Sequence, residues 1–306
     1  MEVDYQPLSM VSTHPRLRRM KGVQMSAQLS ISPNERIPIE ILFEDEHFIA
    51  LNKPSGIVTQ PGDKHWHDSL LNGAFSRWGT ILQNLGKKRD FGLLHRLDKG
   101  TSGVVLIALS IDAYSELRAQ FENRTIQKTY LTLANGYLTP PEGRCELRIL
   151  EHQREGKKRA QVIHPHQLPP SPVSHRKERQ GQSRAGGKVA VKGQKAVTQY
   201  HTLDHVHTAH GIVSLLQCKP HTGRLHQIRA HLSALNAPVL GDFEYGGRRE
   251  FNLRVRDLQR EMLLLHAAQL EITHPIRGDR IKIIAPLPER FLQLLSELNL
   301  TLPPQL

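Results

Sequence analysis

Asp98 stands between two cations in the stretch 94–103, which reads LHRLDKGTSG. Arg96 and Lys99 favour its ionised form, and Gly100 with Gly103 permits a tight turn that presents the side chain. An ionised carboxylate on a turn suits nucleophilic or electrostatic chemistry. On these residues alone the stretch reads either as an active-site loop or as a charged β-turn. Other chemistries fit less well. The 18 histidines include His205, His207 and His210, and the pair His226 and His231. That pair is off the i, i+4 face of a helical zinc site and lacks the accompanying carboxylate pattern. Ser102 lies in no G-x-S-x-G elbow, and neither a dinucleotide fingerprint nor a P-loop is present. No metal and no organic cofactor is expected.

The elements that must position Asp98 surround it in the sequence. Residues 104–109 form a β-branched apolar run that predicts a buried strand, and Ser110 caps a following helix with Leu117 and Phe121 on one face. Upstream, the apolar runs 39–43 and 48–51 flank Glu44-Asp45-Glu46, which predicts an opening hairpin. Further strands are expected at 129–134, 145–150, 196–203, 212–217 and 281–284. Residues 223–235 predict a helix with Leu225, Ile228, Leu232 and Leu235 in one stripe and Thr222 as N-cap. Pro288, at a first-turn position, opens a last helix that buries Phe291, Leu292, Leu295 and Leu298. Strands outnumber the scattered helices, so the expected class is a mixed α+β fold on a mainly antiparallel sheet with peripheral helices. Residues 1–36 read as a flexible leader in which Met25 is an alternative start. Residues 37–300 read as one domain interrupted by a flexible insertion at 167–192, rich in Pro, Gly and basic residues.

Charge points to the partner. The 306 residues carry 41 Lys and Arg against 29 Asp and Glu, a formal charge of +12, and polyanions are the natural ligands of such a surface. Residues 151–195 hold 11 basic and 3 acidic side chains, so most of the excess sits in one segment and favours a phosphate-tracking face. Apolar runs such as 104–109 and 262–265 fall far short of the roughly 20 residues that a membrane span needs. Cys145 and Cys218, the only cysteines, provide neither a disulfide framework nor a thiolate zinc site. A cytoplasmic setting and a monomer are the simplest expectations.

The loop HRLDKGTSG resembles the active-site signature of the RNA pseudouridine synthases of the RluA type. The resemblance continues in order along the chain. Residues 41–62 are similar to the family's first motif around Asn52-Lys53-Pro54, Lys128-Thr129-Tyr130-Leu131 to its K-x-Y-L segment, and KGQKAVTQY ending at Tyr200 to its G-K-x-A-x-T-x-Y segment. TGRLHQIRAHL over 222–232 resembles the third motif, and Gly241-Asp242, Tyr245-Gly246, His266 and His274-Pro275 extend the match. Leu225 departs from an often polar position, the insertion is long, and the leader is too short for the S4 RNA-binding domain of many members. The family's catalytic domain would then recognise the target itself.

The resemblance implies conversion of uridine to pseudouridine in ribosomal or transfer RNA without a cofactor. It places Asp98 on the catalytic aspartate, as nucleophile or electrostatic catalyst at C1′, Tyr130 on the active-site tyrosine and Arg229 on the active-site arginine. A guanidinium fork from Arg229 to Asp98 would be worth roughly 4 kcal/mol at ~4 Å and an effective dielectric of ~20, before desolvation. Arg96, Lys128, Arg224, His226 and Ile228, in or beside the matched motifs, are the expected RNA- and substrate-binding residues. Arg96, or a residue near it, is expected to fill the stack that a flipped uridine vacates. The alternative is a catalytically silent RNA-binding or ribosome-assembly factor on the same fold. Its mark would be replacement of Asp98, Tyr130 or Arg229, and all three are present.

Overall fold

A computed structural model of the protein describes residues 29–62, 64–154, 156–164, 193–246 and 263–304. The leader up to residue 28 and the basic insertion at 167–192 lie outside the described residues. The opening hairpin joins β1 (Glu40–Glu44) to β2 (Phe48–Lys53). Asp45 closes its turn by accepting the N–H groups of His47 at 2.8 Å and Phe48 at 2.9 Å. Next comes α1 (Leu70–Leu85), which the sequence expectations omitted. Ser69 and Asn72 cap its start reciprocally, and Leu71, Phe75, Trp78, Leu82 and Leu85 recur every three or four residues on its buried side. Ile31 and Leu29 pack into the same core cluster, and Asn34 donates its N–H to the Asn72 carbonyl at 3.0 Å. Residues 29–36 therefore belong to the packed body, which corrects the leader boundary drawn at 36.

The chain continues through β3 (Ser102–Ala108), α2 (Ile111–Asn123) and β4 (Gln127–Asn135). Ser110 accepts the Ala113 N–H at 3.2 Å and so caps α2 as expected. The strand expected at 145–150 is two strands, β5 (Glu142–Cys145) and β6 (Arg148–Arg154). The break lies where the chain leaves its pairing with one partner and enters a separate hairpin with β7 (Lys157–Ile163). Two long strands, β8 (Thr198–Thr208) and β9 (Gly211–Pro220), precede α3 (Gln227–Ala234). Then come β10 (Leu265–Thr273), β11 (Arg280–Ile284) and α4 (Glu289–Glu297), with Pro288 at the N-cap of α4 and not inside its first turn.

Nine strands of the described residues form one sheet, in the order β1-β2-β3-β10-β4-β9-β8-β5, with β11 added to β10. All its pairings are antiparallel except β3 with β10, so the fold is α+β and mainly antiparallel as expected. The centre of this sheet is covered on both faces, which explains the unbroken apolar runs of β2 and β3. Ile49, Leu51, Val105 and Ile107 pack under α1, whereas Phe48, Ala50, Val104 and Leu106 pack under α2. Each fully buried Leu or Ile of this kind contributes about 1.5–3 kcal/mol of transfer free energy. α4 covers Leu131, Leu133, Val213 and Leu215, and α3 covers Leu216 and Cys218 beside them.

Candidate active site

Asp98 opens a turn, closed by the Thr101 N–H donating to the Asp98 carbonyl at 3.0 Å, immediately before β3. The segment 53–59 clamps this turn from beneath. The Lys53 ammonium, fully buried, donates to the carbonyls of Pro54 at 2.9 Å, Ile57 at 2.7 Å and Lys99 at 3.2 Å. Ser55 donates its hydroxyl to the Gly100 carbonyl, the Gly56 N–H bonds the Lys99 carbonyl, and Thr59 exchanges two hydrogen bonds with the Leu97 backbone. Burial pulls the Lys53 pKa down to about 7 against the opposing pull of the Asp98 charge. Gly100 stays outside the left-handed region, so the glycine that the geometry demands is Gly103. With φ of +112°, a Cβ there would stand 2.2 Å from the Ala267 carbonyl oxygen on β10.

Arg229 reaches Asp98 from α3. That helix begins at Gln227, four residues later than its apolar stripe predicted. Thr222 does not cap it. Its hydroxyl accepts the Val197 N–H at 2.9 Å and donates to the Gln227 side-chain oxygen at 2.6 Å, which ties the preceding loop to the residue just before β8. His226 occupies the N-cap with φ of +49°, a left-handed conformation that costs a non-glycine residue free energy and is held by its contacts.

The guanidinium of Arg229 does not fork onto Asp98 as expected. Its fork closes on Asp242, with Nε donating to Oδ2 at 2.6 Å and Nη2 to Oδ1 at 2.9 Å. Nη2 also donates to Glu244 at 2.9 Å, which leaves a single bond of 3.1 Å from Nη1 to Asp98 Oδ2. The reason is burial: Asp242 is buried beside the arginine, whereas Asp98 keeps 28% of its side chain exposed to the cleft. The Tyr245 ring lies over the guanidinium with its centroid 4.8 Å away. Burial alone would lower the Arg229 pKa, but the Asp242 hydrogen bonds and charge, followed by Asp98, raise it far above the ordinary value. The cation is permanent.

Asp98 and Arg229 open onto a cleft of about 700 Å³ that also takes in Tyr130, Arg96, Lys128, Arg224, His226 and Ile228. All eight residues singled out in the sequence thus meet in one place. Tyr130 and Lys128 are two apart on β4 and share a strand face. Burial, and secondarily the Asp98 charge, raises the Tyr130 phenol well above its usual range, so it stays neutral. Burial lowers the Lys128 pKa, helped by the nearby Arg124 charge. Arg96 is exposed, so the cation that touches Asp98 is Arg229 and not Arg96. Ile228 is mostly apolar wall, packed with Leu216 and Cys218. His95 is a framework residue: its Nε2 accepts the Leu106 N–H at 3.0 Å, and burial pushes its pKa down to about 3. Sequence reasoning quoted Lys53, Asp242 and Tyr245 but gave them no part in the site, and it passed over Glu244. The signal for Asp242 was a general one, since a buried arginine requires a buried carboxylate.

Comparison with known proteins is consistent with this arrangement. Residues 47–234 match the RNA pseudouridylate synthase family. The chain is 33% identical over 267 residues to ribosomal large subunit pseudouridine synthase D of Nitrosomonas europaea, covering 87% of this chain and 67% of the relative. Over 283 residues it is 33% identical to the protein of that name from Borreliella burgdorferi, covering 90% and 75%. Among solved structures, human RNA pseudouridylate synthase domain containing 4 shares the fold, with a TM-score of 0.57, 24% identity and coverage of 86% of this chain and 94% of that one. The chain belongs to the RNA pseudouridine synthases, the family that its motifs resemble.

Proposed function

We propose that this isomerase converts uridine to pseudouridine in ribosomal RNA, or in transfer RNA, with Asp98 acting at C1′ as nucleophile or electrostatic catalyst. The curated relatives act, by name, on the large ribosomal subunit, which makes its RNA the first substrate to test. The observation that carries the reading is one cleft in which a partly exposed Asp98 carboxylate, aligned at 3.1 Å by a permanently charged Arg229, faces the neutral phenol of Tyr130. The reaction breaks the bond from C1′ to N1, turns the base and joins C1′ to C5. A proton leaves C5 and another is gained at N1, and no electrons are exchanged overall. Asp98 supports the departure and return of the uracil, Tyr130 stacks on the base and relays the proton, and Arg229 keeps the carboxylate aimed. A uridine inside folded RNA must be flipped to reach Asp98, and the cationic wall of Arg96, Lys128 and Arg224 suits the flanking phosphates.

The wider reading is a monomer acting in the cytoplasm, in which one catalytic domain, starting at residue 29 and not at 37 and running to residue 300, carries a basic insertion at 167–192. Carbodiimide mapping of total RNA from cells with and without the gene, rescued by wild type or by Asp98→Asn, tests the activity. Loss of one or a few pseudouridines, restored by wild type alone, is expected. A site restored equally by Asp98→Asn would overturn the role given to Asp98.

A further inference from the structure

A second line of contacts reaches the catalytic pair from behind. Tyr245 accepts the backbone N–H of Ala160, on β7 of the separate hairpin, at 2.9 Å. The same hydroxyl lies 2.9 Å from His226 Nδ1. When the hydroxyl donates in this contact, Nδ1 is the acceptor and the ring hydrogen of a neutral His226 sits on Nε2, which faces Asp98 Oδ1 at 3.8 Å, while Nδ1 lies 3.8 Å from Glu244 Oε2. The same tyrosine covers the Arg229 guanidinium with its ring. One side chain therefore touches both residues that flank Asp98, and it hangs from a hairpin whose Lys158 lines the cleft two residues before Ala160.

We infer that Tyr245 is a positioning residue for the uridine isomerisation: anchored on the β6–β7 hairpin, it selects the His226 tautomer and holds His226 and Arg229 against Asp98. The inference rests on the functional reading above for its catalytic half, and on geometry alone for the tautomer. Three features support it. His226 is held with a left-handed backbone, which its ring contacts must stabilise. The charges around that ring are Asp98 from the catalytic loop, Glu244 and Asp242 from the turn after α3, and Arg229 from α3 itself. Burial lowers the His226 pKa more than these carboxylates raise it, so the ring is neutral and a tautomer has to be chosen. Finally, the Tyr245 phenol is pushed up to about 12 by burial, so its hydroxyl keeps the hydrogen that it donates.

Tyr245→Phe removes the hydroxyl and leaves the ring on Arg229, so it isolates the relay from the packing. Two measurements decide the matter. In the RNA-free protein, nitrogen-15 resonances of His226 should report the Nε2–H tautomer in wild type and a mixture of tautomers in Tyr245→Phe. On a transcript that wild type modifies, the variant should bind RNA within about twofold of wild type while kcat falls about tenfold or more. An unchanged tautomer with unchanged kcat would overturn the inference. So would a loss confined to KM, or one accompanied by a matching loss of thermal stability, because either would make Tyr245 a binding or packing residue. If wild type modified no transcript the proposed function would fall, yet the His226 resonances would still decide where Tyr245 acts.

Discussion

Arg229 has four hydrogen bonds committed before any substrate arrives, and three of them go to carboxylates other than Asp98. Its direction is thus set by Asp242 and Glu244, and Asp98 receives a bond whose geometry was decided elsewhere. This division keeps the Asp98 carboxylate open to the cleft while its charge stays compensated. Replacing Asp242 with Asn turns one buried acceptor into a donor that faces the guanidinium. Removing one partner of a buried pair costs about 3–5 kcal/mol, and a misplacement of about 1 Å near the reacting atoms costs about 100-fold in rate. Asp242→Asn is therefore expected to lose several kcal/mol in urea unfolding and at least about 100-fold in single-turnover pseudouridine formation. Wild-type turnover by this variant would mean that Asp98 orients itself.

At the scale of elements, the catalytic loop depends on the place where β3 meets β10. The two run parallel along His266 and Ala267, and β11 takes over the same edge of β10 from Gln269 onward. Ser102 and His266 lock the start of β3, with the serine hydroxyl 2.8 Å from Nδ1, while Nε2 donates to the Ala285 carbonyl at 3.2 Å. Gly103 lets the backbones close up there. Gly103→Ala introduces a Cβ into backbone at a left-handed φ, two costs of about 1–3 kcal/mol each. The expected result is a fall of about 3 kcal/mol or more in unfolding free energy together with loss of activity, because the displaced strand carries the Asp98 turn. An alanine variant as stable as wild type would show that β3 and β10 can separate at no cost. The capping box and apolar spacing that made α1 were readable in the sequence.

The whole molecule combines a buried neutral framework with a strongly cationic exterior. His266 is held neutral by burial, which pushes its pKa down to about 4 from the ordinary 6.5. The unfolded chain takes up a proton near pH 6.5 that the folded chain refuses until about pH 4. The stability linked to His266 is therefore complete above pH 6.5 and is lost as pH falls toward 4, by roughly 1.4 kcal/mol per unit. His95, pushed down to about 3, acts in the same direction. Urea unfolding at pH 7 and pH 5 should show this loss, and His266→Asn should make the dependence shallower; an unchanged slope would rule His266 out as its source. In the sequence, residues 167–192 carry six Lys and Arg against one Glu. Deleting them should weaken RNA binding and flatten its dependence on salt, since fewer phosphate counterions are released. An identical salt slope would place the phosphate contacts elsewhere.

What the sequence alone determined is local or compositional. The alternation of apolar runs and turns identified most strands and the α+β class, because strand burial is written in adjacent residues. The ordered motifs named Asp98, Tyr130 and Arg229, and all eight expected site residues line one cleft. The tertiary structure alone decided how those residues share their bonds. Asp242, Glu244 and Tyr245 lie 13 to 16 residues beyond Arg229, and no local pattern indicates which carboxylate takes the guanidinium fork. That choice depends on which carboxylate is more deeply buried. The late start of α3 was likewise decided at a distance, because Thr222 bonds Val197, Gln227 bonds Val197 and Thr198 at the start of β8, and together they hold the preceding residues out of the helix. Pattern reports which faces an element must bury. The partners of a buried polar group depend on elements that meet only when the chain has folded.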